Sequence, residues 1–184
     1  MTDDEIILDF VHRLERLSIP YMIVGSFASS VWGRPRATHD TDIVLVAEGP
    51  TARSLREVLD PDYYVPERGF EDAIRRRGMV NVIHQKPVWK IDLIFRSDEP
   101  FQRTQFDRRL ALPFKGATLF VASPEDTILA KLDWSRRGES ERQFRDALGI
   151  YEVQRGSLDL AYLAHWAASL GVVDLLKQLE SQAV

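Results

Sequence analysis

Two aspartates, Asp40 and Asp42, stand two positions apart at the entrance to the apolar run Ile43-Val44-Leu45-Val46. That run reads as a buried strand. Along a strand, side chains two apart point to the same side, about 7 Å from one another. Singly, each aspartate is an ordinary solvated turn residue. As a pair entering an apolar strand they repel, and they need a counter-charge. A hard divalent cation supplies it, and magnesium, or manganese in its place, prefers carboxylates, water and phosphate oxygens.

The rest of the chain is read around that pair. Ile6, Ile7, Phe10, Val11, Leu14 and Leu17 recur at helical spacing behind Asp3, Asp4 and Glu5, which predicts an amphipathic helix over 3–17. Pro20 ends it, and Tyr21-Met22-Ile23-Val24 reads as a buried strand closing at Gly25-Ser26. A short helix to about Gly33, a polar loop to Asp40 and a helix over 51–59 follow. Residues 70–77 read as a helix, and 79–84 and 88–95 as a hairpin around Gln85-Lys86-Pro87. Short strands are expected at 110–114 and 118–121. Ser123-Pro124-Glu125-Asp126 is a helix opening, with a serine cap, proline at the first position and an acid three residues on. Apolar stripes over 124–135, 139–153, 158–170 and 172–182 then give a helical tail divided by Gly138, Gly156 and Gly171. The expected layout is α/β (α+β): a mixed sheet flanked by helices over 1–122, and a C-terminal helical bundle over 123–184 that packs on it.

Composition narrows the function. The 184 residues are 45% hydrophobic, enough for one good core with a small helical appendage. A net charge of -4 argues against a broadly basic nucleic-acid binder. Any such contact is local, at Arg34 with Arg36, Arg75 to Arg77, Arg108 with Arg109, or Arg136 with Arg137, each of which also reads as a solvated face. The absence of cysteine excludes disulfides, thiolate metal sites and cysteine nucleophiles. An acidic start and no apolar run of roughly 18 residues lead to the expectation of a soluble cytoplasmic protein without a membrane partner.

Three features then combine. A helix starting at Gly25-Ser26 offers free backbone N–H groups to an anion, although a tight turn with a serine cap explains the same pair. Asp40 and Asp42 are candidate metal ligands. Asp92 lies inside Lys90-Ile91-Asp92-Leu93-Ile94, a costly place for an isolated carboxylate. Either it forms a salt bridge, for instance to an arginine, or it is the base for an incoming hydroxyl beside a two-aspartate metal site.

This ordered set resembles the nucleotidyltransferase fold superfamily, with its glycine-serine turn, Asp-x-Asp pair and third acid on a later strand. The run from Gly25-Ser26-Phe27-Ala28 to Gly33-Arg34-Pro35-Arg36-Ala37-Thr38-His39-Asp40-Thr41-Asp42 is similar to the AbiEii-type toxins and related uncharacterised branches, where an Arg-x-Thr precedes the aspartates. Lys131, after Ser123-Pro124-Glu125-Asp126, and Asp146, within Arg142-Gln143-Phe144-Arg145-Asp146, look like that group's tail motif. The resemblance implies transfer of a nucleoside monophosphate from a triphosphate to an acceptor hydroxyl. It implies Asp40, Asp42 and Asp92 as catalytic metal site, and Gly25, Ser26, Arg36, Lys131 and Asp146 as nucleotide-binding residues. It brings with it acceptors such as tRNA, proteins and small antibiotics, a cognate partner protein or an oligomer, and a toxin–antitoxin setting. The chain is shorter than full-length AbiEii-type toxins, so their substrate-binding elements and toxicity do not follow from the motif. The competing readings are a non-catalytic nucleotide-binding or regulatory module, and a plain interaction protein built on the tail. Locally, Lys131 also reads as exposed, and Arg142 with Asp146 as a helix-surface pair.

Other candidates are poorer. Four scattered histidines make no zinc pattern, and His39 reads as a loop residue. Trp134 and Trp166 read as core or interface. Ser26, Ser29 and Ser30 lack a histidine-acid partner, which argues against a hydrolase triad.

Overall fold

A computed structural model describes residues 1–59 and 61–183; the expected tail's last residue, Val184, lies outside them. Among the described residues there are seven strands and nine helices, in two compact units. One comprises 1–24 and 38–121. The other comprises 25–37 and 122–184, so the segment after the first strand groups with the tail helices.

The first unit is built on a mixed sheet of order β3-β4-β5-β2-β1-β7-β6. Its strands are β1 (Tyr21–Val24), β2 (Asp40–Leu45), β3 (Tyr63–Tyr64), β4 (Met79–Gln85), β5 (Val88–Phe95), β6 (Leu110–Phe114) and β7 (Ala117–Val121). β2 runs parallel to β5, β1 parallel to β7, and the other pairs are antiparallel. Strand alternation gives one face Tyr21, Ile23, Ile43, Leu45, Val80, Val82, Ile91, Leu93 and Phe95, all buried. Four helices belong to this unit: α1 (Asp3–Arg16), α3 (Gly49–Leu59), α4 (Glu67–Arg76) and α5 (Pro100–Asp107). α1 opens with a capping box between Thr2 and Glu5, and buries Ile6, Ile7, Phe10, Val11 and Leu14. Phe10 meets Tyr63 edge-on at 5.5 Å, and Phe70 of α4 meets Phe95 at 5.7 Å.

The elements read from periodicity are present, with shifted ends. β2 starts at Asp40 rather than after the aspartates, because Asp40 and Asp42 pair in register with β5. The two-residue β3 and the helix α5 have no counterpart in the sequence reading; α5 presents only Phe101, Gln105 and Phe106 to the interior, too few positions to show a stripe.

The second unit holds α2 (Gly25–Trp32), α6 (Pro124–Gly138), α7 (Glu141–Gln154), α8 (Leu160–Leu170) and α9 (Val173–Gln182). α6 begins as its opening dictates: the Ser123 hydroxyl accepts from Asp126 N, and Pro124 takes the first turn. Its core gathers Ala28, Ile128, Leu129, Leu132, Ala147, Ile150, Leu163, Ala167 and Leu179. Gly33 is required at its position: a Cβ there would lie 2.9 Å from Ile150 N, so α7 could not approach. Trp134 is 63% exposed and is not a core residue. Among the described residues no helix is long and apolar enough to cross a membrane.

Candidate active site

The acidic residues sit on the face of the sheet opposite Ile43 and Leu93. The parallel register places Asp40 beside Lys90 and Asp42 beside Asp92. Period-two alternation then sends all four side chains to the same face. On the other face the Trp89 indole N–H donates to Thr41 Oγ1 at 3.0 Å, tying β2 to β5 from within the core.

Asp92 is only 8% exposed and is held from two sides. Asn81, its register partner on β4, donates to Oδ1 at 2.5 Å. Lys90 Nζ donates to Oδ2 at 3.0 Å and lies 3.4 Å from Asp40 Oδ2. The other Asp40 oxygen accepts from Thr38 Oγ1 at 2.7 Å. The hydrogen bond to Asp92, outweighing the opposing effect of burial and joined by the charges of Asp92 and Asp40, raises the Lys90 pKa above its ordinary value.

Part of the counter-charge that these carboxylates require is thus supplied by Lys90. The salt bridge expected for Asp92 exists, with a lysine two residues before it in place of an arginine. Lys90 and Asn81 are the site residues that sequence reasoning missed. Both left a signal: Lys90-Ile91-Asp92 alternates onto one face, and a two-residue turn at Lys86-Pro87 sets Asn81 opposite Asp92.

As donors, three carboxylates on neighbouring strand positions suit a hard divalent ion, and Asp40 and Asp42 are partly open to solvent. Among the described residues, however, no three His, Cys, Asp or Glu side chains already converge as a ligand set. The Lys90 ammonium stands between Asp40 and Asp92. By donor chemistry the three carboxylates match a magnesium ion, while Lys90 contacts two of them.

The second unit carries its own cluster. Gly25 takes a left-handed φ of 63°, the conformation that lets the chain turn into α2 at once, and its carbonyl accepts from Ser29 Oγ at 2.9 Å. Arg36 folds back to donate to Ser26 Oγ at 2.6 Å and to Asp146 Oδ2 at 3.3 Å. Lys131 Nζ donates to the same Asp146 oxygen at 2.9 Å, and its side chain is 6% exposed. Asp146 therefore pairs with a buried lysine and an arginine from loop 33–37, and Arg142 is exposed. Burial alone would raise the Asp146 pKa, but the bonds and charges of Lys131, then Arg36, hold it below the usual aspartate range. Arg36 Nε is buried with no hydrogen-bond partner among the described residues. A cleft of about 270 Å³ borders this cluster, edged by Ser29, Arg34, Arg145 and Asp146.

The other basic runs are largely matched within themselves: Arg75 to Asp72, Arg77 to Asp98, and Arg136 and Arg137 to Asp133. His39 is an exposed loop residue.

No protein-family model matches the sequence, and no curated protein matches it by sequence. Solved structures do. An antigenic nucleotidyltransferase-like protein from Paracoccidioides brasiliensis superposes with a TM-score of 0.61, at 17% identity, over 96% of this chain and 91% of that one. The chain has a nucleotidyltransferase-type fold. The antibiotic-resistance factor ANT(2'')-Ia matches this fold with a TM-score of 0.59 at 12% identity, over 95% of this chain and 96% of its own. The lincosamide antibiotic adenylyltransferase LnuA, in a lincomycin-bound structure, matches with 0.56 at 14% identity, over 83% and 98%. It is within this nucleotidyltransferase-type fold that Asp40, Asp42 and Asp92 share one sheet face.

Proposed function

We propose that the protein is a metal-dependent nucleotidyltransferase, moving a nucleoside monophosphate from a triphosphate to an acceptor hydroxyl. The observation that carries this reading is the register that aligns Asp42 with Asp92, and Asp40 beside them, on one face of a nucleotidyltransferase-type sheet. In the reaction the acceptor oxygen bonds to the α-phosphorus, the α–β phosphoanhydride breaks, and pyrophosphate leaves. Asp40 and Asp42 hold magnesium or manganese, with Asp92 as a further ligand or as the group that takes the acceptor's proton. An ion held by those aspartates would supply positive charge to the phosphate oxygens as negative charge develops on them.

In the other unit, Gly25, Ser26, Arg36 and Lys131 are assigned to the phosphates, with Asp146 orienting the two cations. The buried Arg36 Nε, without a hydrogen-bond partner among the described residues, supports that role, as does the start of α2 at Gly25-Ser26, since a helix N-terminus favours an anion. The buried Lys131–Asp146 pair also supports the AbiEii-type branch, and with it a toxin–antitoxin setting. The acceptor is a hydroxyl of a small molecule, a tRNA end or a protein; adenylyl-2''-tobramycin, seen with ANT(2'')-Ia, illustrates the first class.

A second reading, nucleotide binding without turnover, draws on the Lys90 ammonium lying between Asp40 and Asp92. The two separate experimentally. Labelled triphosphates are incubated with total RNA, cell lysate or aminoglycoside alcohols. Transfer to any of them supports the enzyme, and magnesium-dependent binding without transfer to any supports the module.

A further inference from the structure

Lys90 plays no part in the reaction just described, yet it is the most specifically placed cation near the acids. Its ammonium is 3.0 Å from Asp92 Oδ2 and 3.4 Å from Asp40 Oδ2, and its side chain remains 43% exposed. It therefore satisfies two carboxylates and still has a path to solvent. Asn81 and Thr38 fix the outer oxygens of the same carboxylates, so both present their inner oxygens to Lys90. A divalent ion shared by Asp40 and Asp92 would need those inner oxygens. Ammonium and metal would be like charges in contact, which costs several times more at a partly buried position than in water.

We infer that Lys90 is an internal substitute for the metal: it holds Asp40 and Asp92 together in the metal-free protein and must swing out before a divalent ion can load. The inference rests on the metal-site reading above. The exposed side of the lysine gives the released ammonium somewhere to go. A triphosphate offers it a new anionic partner, so metal and nucleotide load together while metal alone binds weakly. Lys90 is thus a positioning residue that couples the two ligands.

The test is manganese binding to the full chain without nucleotide, followed by electron paramagnetic resonance, for wild type and Lys90→Met. The expected result is binding at least about tenfold tighter in Lys90→Met, the effect of removing one like-charge contact. A non-hydrolysable triphosphate should then tighten manganese binding in wild type more than in the variant. Equal or weaker binding by a folded Lys90→Met overturns the inference and leaves the metal site standing. Manganese binding to neither protein, with or without triphosphate, overturns the metal site and the inference with it. Should Lys90→Met not fold, the wild-type Lys90 Nζ resonance decides during a magnesium titration. Movement toward the position of a solvated lysine supports displacement, and an unchanged signal at saturating magnesium contradicts it.

Discussion

Asp42 of β2 and Asp92 of β5 are register partners on adjacent parallel strands, so their carboxylates project from one face a single strand spacing apart, about 4.8 Å. Placing two acids there is costly without a cation, and Lys90 reaches Asp92 and Asp40. Magnesium-dependent triphosphate binding should therefore depend on Asp42. In calorimetry, Asp42→Ala is expected to lose at least about tenfold in affinity with magnesium present, a change of roughly 1.4 kcal/mol, and to differ little from wild type without it. Equal affinity in both conditions would remove Asp42 from the metal site.

Asp92 is held by Asn81 and Lys90 and is nearly buried, which suits a group that acts on the acceptor more than one that anchors phosphates. Asp92→Asn keeps the shape and removes the charge. Turnover should fall by at least about a hundredfold, the scale of general-base effects, while triphosphate binding falls far less because Asp40 and Asp42 still hold the ion. Single-turnover rates and calorimetry on the same preparation check the separation; a loss under about tenfold would give Asp92 a structural role.

Lys131 and Asp146 form the most buried ion pair described, with side-chain exposures of 6% and 11%. Removing one partner of such a pair costs about 3–5 kcal/mol, and because Arg36 stays on Asp146, Lys131→Met should fall at the low end, near 3 kcal/mol in urea unfolding. The pH dependence has a definite sign. Asp146 has a folded pKa below its unfolded value, so its contribution is complete above about pH 3.9 and is lost as pH falls through the lower folded value. The stability gap between wild type and Asp146→Asn should be constant near neutrality and close only in strong acid. A gap that closes near pH 6 would point to another group.

Gly33 has no room for a side chain. A methyl there would meet Ile150 N at 2.9 Å and Gly149 C at 3.0 Å, both backbone atoms that cannot turn away. Gly33→Ala should cost about 1–3 kcal/mol by overpacking, visible as a lowered thermal midpoint. Gly156→Ala, where nothing lies within 4 Å, is the neutral control.

The elements were legible where periodicity is strong: α1, the hairpin of β4 and β5, and the four tail helices all follow their apolar patterns. The acids were legible as candidates because carboxylates beside Ile43 and Leu93 conflict with burial. What they contact was not, since Asp40 meets Lys90 only through the β2–β5 register, a pairing of segments some fifty residues apart. The same holds for Asp146, whose sequence neighbour Arg142 was the local candidate partner, whereas its actual partners are Lys131 and Arg36. Local patterns specify which face a side chain takes; long-range register decides its neighbours.

The most direct test of nucleotidyl transfer follows the label itself. Wild type and Asp40→Ala/Asp42→Ala are given α-phosphate-labelled triphosphates with magnesium and, separately, total RNA, lysate and aminoglycoside alcohols. The account predicts covalent label on one of these acceptors with wild type, stoichiometric pyrophosphate, and none with the double variant. Label transfer by the double variant at the wild-type rate, or no transfer by wild type to any acceptor despite magnesium-dependent triphosphate binding, would contradict it.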